Sequence, residues 1–185
     1  MKPAIKYLSG KHVYLRPIEA EDMPTCQVWI NDPEVRRFLS HVRPVDGVSE
    51  AGWHASHDRG LLPREVQFGI ALHEGDRYIG NTSFMKIDWV SRAATSGTVI
   101  GEKDCWGKGY GTEAKALLIQ YGFLTLNLNR LHSEVIAFNE RSARHLLANG
   151  YTLEGRRRQA CFRDGVYHDM LDFSLLREEW LARQS

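Results

Sequence analysis

Three cysteines, Cys26, Cys105 and Cys161, are too few and too widely spaced for a disulfide framework, and no C-x-x-C pair offers half of a zinc or redox site. Reduced thiols and no bound metal are the expectation. An excess of charge of one sign is also missing. The 24 basic and 23 acidic side chains leave a net charge of +1, so no global field draws the chain to a nucleic-acid backbone or an anionic membrane. Nowhere do about 18 apolar residues run together, as a spanning helix requires. The start, Met1-Lys2-Pro3-Ala4-Ile5-Lys6, lacks the apolar stretch of a secretory signal. These absences point to a cytoplasmic protein with neither nucleic acid nor membrane as partner. Repeats and low-complexity tracts are absent too. What remains, 43% hydrophobic and 25% charged residues over a length of 185, suits one globular domain spanning residues 1–185.

Local patterns then divide the chain. Residues 12–18 alternate as a strand, and Glu19-Ala20-Glu21-Asp22 leads into a helical pattern through Trp29. Asp32-Pro33-Glu34 places a cap, a first-turn proline and a first-turn acid, starting a second short helix through Phe38. Residues 40–48 read as a loop and 49–59 as a helix. Residues 65–72, 78–90 and 95–102 form a predicted antiparallel meander. Residues 107–126 predict a long amphipathic helix with Ala114, Leu117, Leu118, Tyr121 and Thr125 on one face. A strand over 130–137 precedes a helix capped by Asn139 and ended by Asn149-Gly150, with Ala143, Leu146 and Leu147 as its buried stripe. Asp164-Gly165 then joins strands 151–163 and 166–176 in a hairpin. This order predicts an α+β fold. Its mixed, mainly antiparallel sheet carries helices on both faces, with parallel pairing only across the long helix.

The chemistry concentrates in Trp106-Gly107-Lys108-Gly109-Tyr110-Gly111-Thr112-Glu113-Ala114. Alternate glycines let backbone N–H groups turn toward a ligand, and the helix behind them adds about half a positive charge at its N-terminus. Together they make a pyrophosphate cradle. A P-loop does not fit, because Gly101 lies one residue too far upstream of Gly107-Lys108 and Gly109 replaces the required Ser or Thr. The segment from Gly109 to Ala114 does satisfy a relaxed G-x-G-x-x-A dinucleotide pattern, with Glu134 near the place of a ribose-binding acid. A dinucleotide fold should continue in repeated strand-helix units, however, and this chain ends in a hairpin.

The stretch 106–114 resembles the acetyl-CoA loop of the GNAT superfamily of acyl-CoA-dependent N-acyltransferases, in the branch that includes the ribosomal-protein N-terminal acetyltransferases. The resemblance runs from Leu15-Arg16-Pro17 to Glu179-Trp180 and includes Asn139-Glu140-Arg141-Ser142, Asn149-Gly150-Tyr151, Glu154-Gly155 and Asp164-Gly165-Val166-Tyr167. It implies that acetyl-CoA is the cosubstrate. It also implies that the strand before the loop bulges and splays from its parallel neighbour, leaving backbone at Val99, Ile100 and Gly101 for pantetheine. Trp106, Gly107, Lys108, Gly109, Tyr110, Gly111 and Thr112 would hold the phosphates, with Asn139 and Ser142 beside the pantetheine arm.

Acetyl transfer needs a neutral amine, yet a free alkyl ammonium has a pKa near 10. A carboxylate base can take its proton directly or through water. Glu134 matches the glutamate that acts as base in some family members, and Glu102, just beyond the bulge, is the second candidate. Many relatives place an acidic tyrosine seven residues after the helix-starting asparagine. That position is Leu146 here, so no general acid is assigned, with His145 and Ser142 dependent on geometry and Tyr151 on a structural position. Backbone N–H groups of the splayed strand would polarise the thioester carbonyl. Leu146 also motivates a second reading, a non-catalytic acyl-CoA-binding or sensory domain. The acceptor is an amine on a protein N-terminus or a small molecule, and monomer and homodimer are both open. His54 and His57 lack a third metal ligand. Arg156-Arg157-Arg158 reads as an edge-strand device that could also attract an acidic acceptor. Trp29, Phe38 and Trp53 fall in the segment that shapes the family's acceptor pocket.

Overall fold

The computed structural model describes residues 5–39, 43–47 and 62–184. The expected helix over 49–59, with Trp53, His54 and His57, lies outside the described residues, as does much of the loop over 40–48. Within them, alternating apolar residues build eight strands: β1 (Leu8–Ser9), β2 (Val13–Arg16), β3 (Val66–Leu72), β4 (Tyr78–Asp88), β5 (Ala93–Ile100), β6 (Arg130–Ile136), β7 (Thr152–Arg163) and β8 (Val166–Leu176). They form one sheet in the order β1-β2-β3-β4-β5-β6-β8-β7. Neighbours pair antiparallel except β5 and β6. The helices are α1 (Met23–Asn31), α2 (Pro33–Arg36), α3 (Tyr110–Leu124), α4 (Glu140–Ala148) and α5 (Arg177–Ala182).

Turn chemistry fixes the boundaries that were legible. Asp164 and Gly165 have φ of 52° and 79°, the pair of positive values that a two-residue hairpin needs to match strand twist. The Asp32 carboxylate accepts the Glu34 N–H at 2.8 Å ahead of α2. Gly150, at φ 90°, ends α4. There its N–H donates to the Leu147 carbonyl and the Tyr151 N–H to that of Leu146, which satisfies carbonyls the helix leaves over.

Helices cover both faces. The main core joins Val13, Leu15, Ile70, Phe84 and Leu131 of the sheet to Leu118, Ile119 and Phe123 of α3, Leu146 of α4 and, at its border, Trp180 of α5. On the other face Met23, Cys26, Trp29 and Val35 of α1 and α2 pack against Tyr78, Val99 and Trp106. Two stripe assignments are corrected. Thr125 and Leu147 are exposed, because α3 turns Ala114, Lys115, Leu118, Ile119, Gly122 and Phe123 inward, while α4 is only one apolar residue deep in the core, at Leu146. Lys115, a lysine in an apolar stripe, is 1% exposed.

Candidate active site

β5 and β6 set the site. They share only three parallel rungs, Ala93 with Arg130, Ala94 with Leu131 and Thr95 with His132, although β5 runs on to Ile100 and β6 to Ile136. Beyond the third rung the strands part into a fork. Antiparallel pairing with β4 continues unbroken from Met85–Thr95 to Gly80–Ile100, so the far edge of β5 is the one released. The Gly101 N–H donates to the Ile79 carbonyl in β4. Since N–H groups alternate direction along a strand, those of Thr98 and Ile100 are turned toward the fork.

The expected bulge sits at the very end of β5. The N–H groups of Gly101 and Glu102 both point at the Ile79 carbonyl, at 2.9 and 3.3 Å, two residues against one as in a β-bulge. Gly101 is required by a close approach: a Cβ there would lie 2.0 Å from Cδ2 of Trp29. Trp29 is buried and its indole N–H donates to Glu102 Oε1 at 2.9 Å. Gly101→Ala is therefore expected to push the indole from its seat, destabilising the protein by about 1–3 kcal/mol as other overpacked sites do. A lowered melting temperature with weakened acetyl-CoA binding in titration would show it.

After the bulge, residues 103–105 form a single 3-10 turn and the chain enters the cradle. Gly107 and Gly109 have φ of 75° and 84°, and Gly109 is the left-handed cap of α3. A side chain at either would be strained, so these two glycines are backbone requirements. Gly111 is not, since it lies inside α3 and an added Cβ would meet Ile100 Cγ1 at an ordinary 3.5 Å. Trp106 braces the loop, its indole N–H donating to the Ile100 carbonyl at 2.7 Å while the Arg141 guanidinium stacks over its ring at 4.3 Å. Lys108 is exposed at the turn. Gly109→Ala is expected to cost about 1–2 kcal/mol through the forced left-handed conformation. Because Gly109 shapes the cradle itself, the variant should lose more acetyl-CoA affinity than stability, which parallel titration and thermal melting resolve.

Asn139 and Ser142 stand across the fork at the start of α4. The Asn139 side-chain carbonyl accepts the Ser142 N–H at 3.2 Å, which leaves the Asn139 amide and the Ser142 hydroxyl available to a ligand. Thr112 Oγ1 of α3 lies 3.3 Å from His145 Nδ1 of α4. Burial, followed by the nearby Lys115, lowers the His145 pKa to about 3, so the imidazole is neutral.

The two candidate carboxylates part company here. Glu102 is committed on both oxygens, to the Trp29 indole and to the Arg77 guanidinium. Glu134 lies on β6 beyond its last rung with β5. Leu131, Ser133 and Val135 face the main core, so alternation turns Glu134 and His132 to the face where α1 and Val99 sit. Register places Asp172 of β8 directly opposite Glu134. Arg157 bridges the two carboxylates, at 3.1 Å to Glu134 and 3.0 Å to Asp172, and His132 Nε2 lies 3.6 Å from Asp172. His132 and Asp172 were not found by sequence reasoning, and Arg157, read there with Arg156 and Arg158 as an edge-strand device, is paired with Glu134 and Asp172, because their meeting depends on cross-strand register. His132, Glu134 and Asp172 bring ligand atoms within 4.8 Å of one another, and both carboxylates are ion-paired with Arg157. Leu146, at the usual tyrosine position, is buried in the core and offers no acid.

The crotch of the fork holds a second, buried group of polar side chains. Ser96 Oγ lies 2.8 Å from Ser133 Oγ, 2.8 Å from the Tyr151 hydroxyl and 3.0 Å from Lys115 Nζ. The Ser133 hydroxyl donates to the Ser96 carbonyl at 2.8 Å. Burial pushes the Tyr151 hydroxyl up to about 12 and brings the Lys115 amine down to about 7.

A strand that leaves its parallel neighbour after three rungs, followed by a glycine cradle on a helix N-terminus, is the arrangement the resemblance implied. Comparison with known proteins agrees. The family model described as an acetyltransferase (GNAT) domain matches residues 12–152. The chain is 36% identical over 176 residues to the uncharacterized N-acetyltransferase p20 of Bacillus licheniformis, covering 94% of this chain and 97% of p20. It is 26% identical to the spermidine N(1)-acetyltransferase of Escherichia coli K12, covering 94% and 91%. Among solved structures, a spermidine N-acetyltransferase from Vibrio cholerae in complex with CoA and spermine superposes with a TM-score of 0.85 at 20% identity, covering 91% of this chain and 98% of that one. The chain belongs to the GNAT acetyltransferase family and is an acetyl-CoA-dependent N-acetyltransferase.

Proposed function

We propose that the chain acetylates a primary amine on a small molecule by direct attack in a ternary complex at the fork between β5 and β6. The observation that carries this reading is the three-rung limit of the β5–β6 ladder. It turns the N–H groups of Thr98 and Ile100 toward a gap in which an extended pantetheine arm can pair as a further strand does. The cradle from Gly107 to Thr112 takes the pyrophosphate, where the helix N-terminus and unpaired amides favour negative charge. Val99 and Gly101 support the gap from behind through β4 and Trp29. Asn139 and Ser142 hold its far side. Fork-facing amides also stabilise charge that develops on the thioester oxygen.

Glu134 is the proposed base. It lies on β6 beyond the last rung with β5, on the face that carries α1 and Val99, and its half-exposed carboxylate is held in place by Arg157. With Asp172 it presents negative charge to an approaching ammonium group. Glu102 positions the Trp29 indole and the loop entrance. A small-molecule acceptor is favoured by the curated relative that acts on spermidine, and by the carboxylates on the acceptor face. The test is release of CoA thiol from acetyl-CoA over a panel of polyamines, amino sugars, aminoglycosides and peptides with free N-termini. Turnover on a small amine, with the acetylated product seen by mass spectrometry, is expected. Turnover confined to peptide N-termini would overturn the acceptor class.

A further inference from the structure

Ser96 and Ser133 are the first residues beyond the last parallel rung, and their side chains take over where the ladder stops. The Ser96 hydroxyl approaches the His132 carbonyl at 3.2 Å and the Ser133 hydroxyl donates to the Ser96 carbonyl at 2.8 Å. The His132 carbonyl also belongs to the last rung, Thr95 with His132, whereas the Ser96 carbonyl would otherwise be free to accept the Glu134 N–H in a next one. The Ser133 hydroxyl therefore takes the place of that rung at the point where the fork opens.

Ser96 is in turn held from outside the sheet. Lys115 of α3 donates to Ser96 Oγ at 3.0 Å and Tyr151, at the exit of α4, reaches it at 2.8 Å. Two donors fill the two lone pairs of Ser96 Oγ and leave its single proton for Ser133 or the His132 carbonyl. Lys115 thus gives one N–H to Ser96 Oγ. An ammonium group would bring three protons to a site 1% exposed in which Ser96 is its hydrogen-bond partner, leaving two unsatisfied. A neutral amine brings one N–H fewer and no charge, and so costs less in this buried site. The titratable groups facing it are Tyr151, whose ring centroid is 5.9 Å away, and the neutral His145 of α4. From β5 it meets the Ser96 hydroxyl. Burial alone lowers its pKa, with no carboxylate among the described residues to offset it.

Lys115 sits on the same helix as the cradle, five residues past its first residue, Tyr110. It is the link between the helix that receives the pyrophosphate and the crotch from which the pantetheine gap opens. We propose that Lys115, as a neutral amine acting through Ser96, is a positioning residue that sets the width of the fork and with it the seat of the thioester. This rests on the reading of the fork as the acyl-CoA site. Protonation would add one N–H and a charge to a site where Ser133 already occupies the Ser96 carbonyl, and so disturb the ladder's end.

Acetyl-CoA titrations and steady-state kinetics between pH 6 and 9 on the intact chain, Lys115→Met and Ser96→Ala provide the test. The intact protein should lose acetyl-CoA affinity as pH falls through neutrality, by up to about tenfold per pH unit if only the neutral form binds well. Lys115→Met should lack that inflection, while sharing every inflection that comes from other groups or from acetyl-CoA itself. At pH 8 it should show kcat/KM for acetyl-CoA lowered about tenfold, since an ångström of misplacement at reacting atoms costs up to about a hundredfold. Ser96→Ala, which removes the intermediary and keeps the lysine, should reproduce the loss at pH 8. A folded Lys115→Met with the affinity, kinetics and pH profile of the intact protein would overturn the proposal while leaving the fork as the acyl-CoA site. Failure of the intact chain to bind acetyl-CoA would overturn both.

Discussion

Glu134→Gln is expected to lower kcat at neutral pH by about a hundredfold or more, the usual contribution of a positioned base. Glutamine keeps the volume and a hydrogen-bonding oxygen toward Arg157, so the strand register and the ion pair of Arg157 with Asp172 survive. What is lost is the ability to take a proton from an alkyl ammonium, which ionises near pH 10 in water. The deficit should therefore shrink as pH rises toward 10, where the amine loses its proton unaided, and be greatest in the neutral and mildly acidic range. Acetyl-CoA affinity should stay within about twofold of the intact protein, because Glu134 faces the acceptor side. A kcat that is unchanged, or lowered by the same factor at every pH, would remove Glu134 as base and move attention to Asp172 and His132 beside it.

The second large effect concerns stability. Lys115 has an ordinary pKa of 10.5 as a free side chain and about 7 in the fold. Between these values the unfolded chain holds a proton that the folded chain does not, so stability rises with pH from about 7 to 10.5, and below about 7 the whole penalty is present. The difference corresponds to roughly 5 kcal/mol withheld from folding at and below neutrality. Lys115→Met fills similar space without an amine. It should raise stability at pH 7 by about 1–4 kcal/mol, the range seen when buried charged groups are replaced by apolar ones. The gain falls short of the full penalty because Ser96 and Tyr151 lose a partner. Denaturant unfolding at pH 7 and pH 10 measures it: the advantage of Lys115→Met should be large at pH 7 and nearly gone at pH 10. An equal difference at both values would mean that Lys115 is not buried as a titrating amine. A residue that weakens the fold at its working pH while contacting the fork fits the trade of stability for function seen at active sites.

Much of this was legible in the sequence because local chemistry dictated it. Asp164-Gly165 can place two residues at positive φ, Asn139 can cap a helix and Gly107 and Gly109 can turn amides toward a phosphate, each without reference to distant residues. Parallel pairing across α3 followed from the length of the crossover. What local pattern could not show depends on which residues meet across strands. Glu134 reads as one carboxylate in sequence, and only the β6–β8 register sets Asp172 against it and Arg157 over both. Lys115, next to the apolar Ala114, was not singled out in the sequence. Its burial follows from the rotation of α3 on the sheet, which also exposes Thr125 and brings Ile119 and Phe123 inward. Glu102 was readable as a carboxylate near the loop. That its oxygens are taken by Trp29 and Arg77 depends on contacts 73 and 25 residues away in sequence.

Amide hydrogen exchange of the intact chain with and without acetyl-CoA tests the central claim most directly. New protection is expected in three places: the fork-facing amides of Thr98 and Ile100, the cradle from Gly107 to Thr112, and the start of α4 at Asn139 and Ser142. Protection confined to other surfaces, or none at saturating acetyl-CoA, would contradict it.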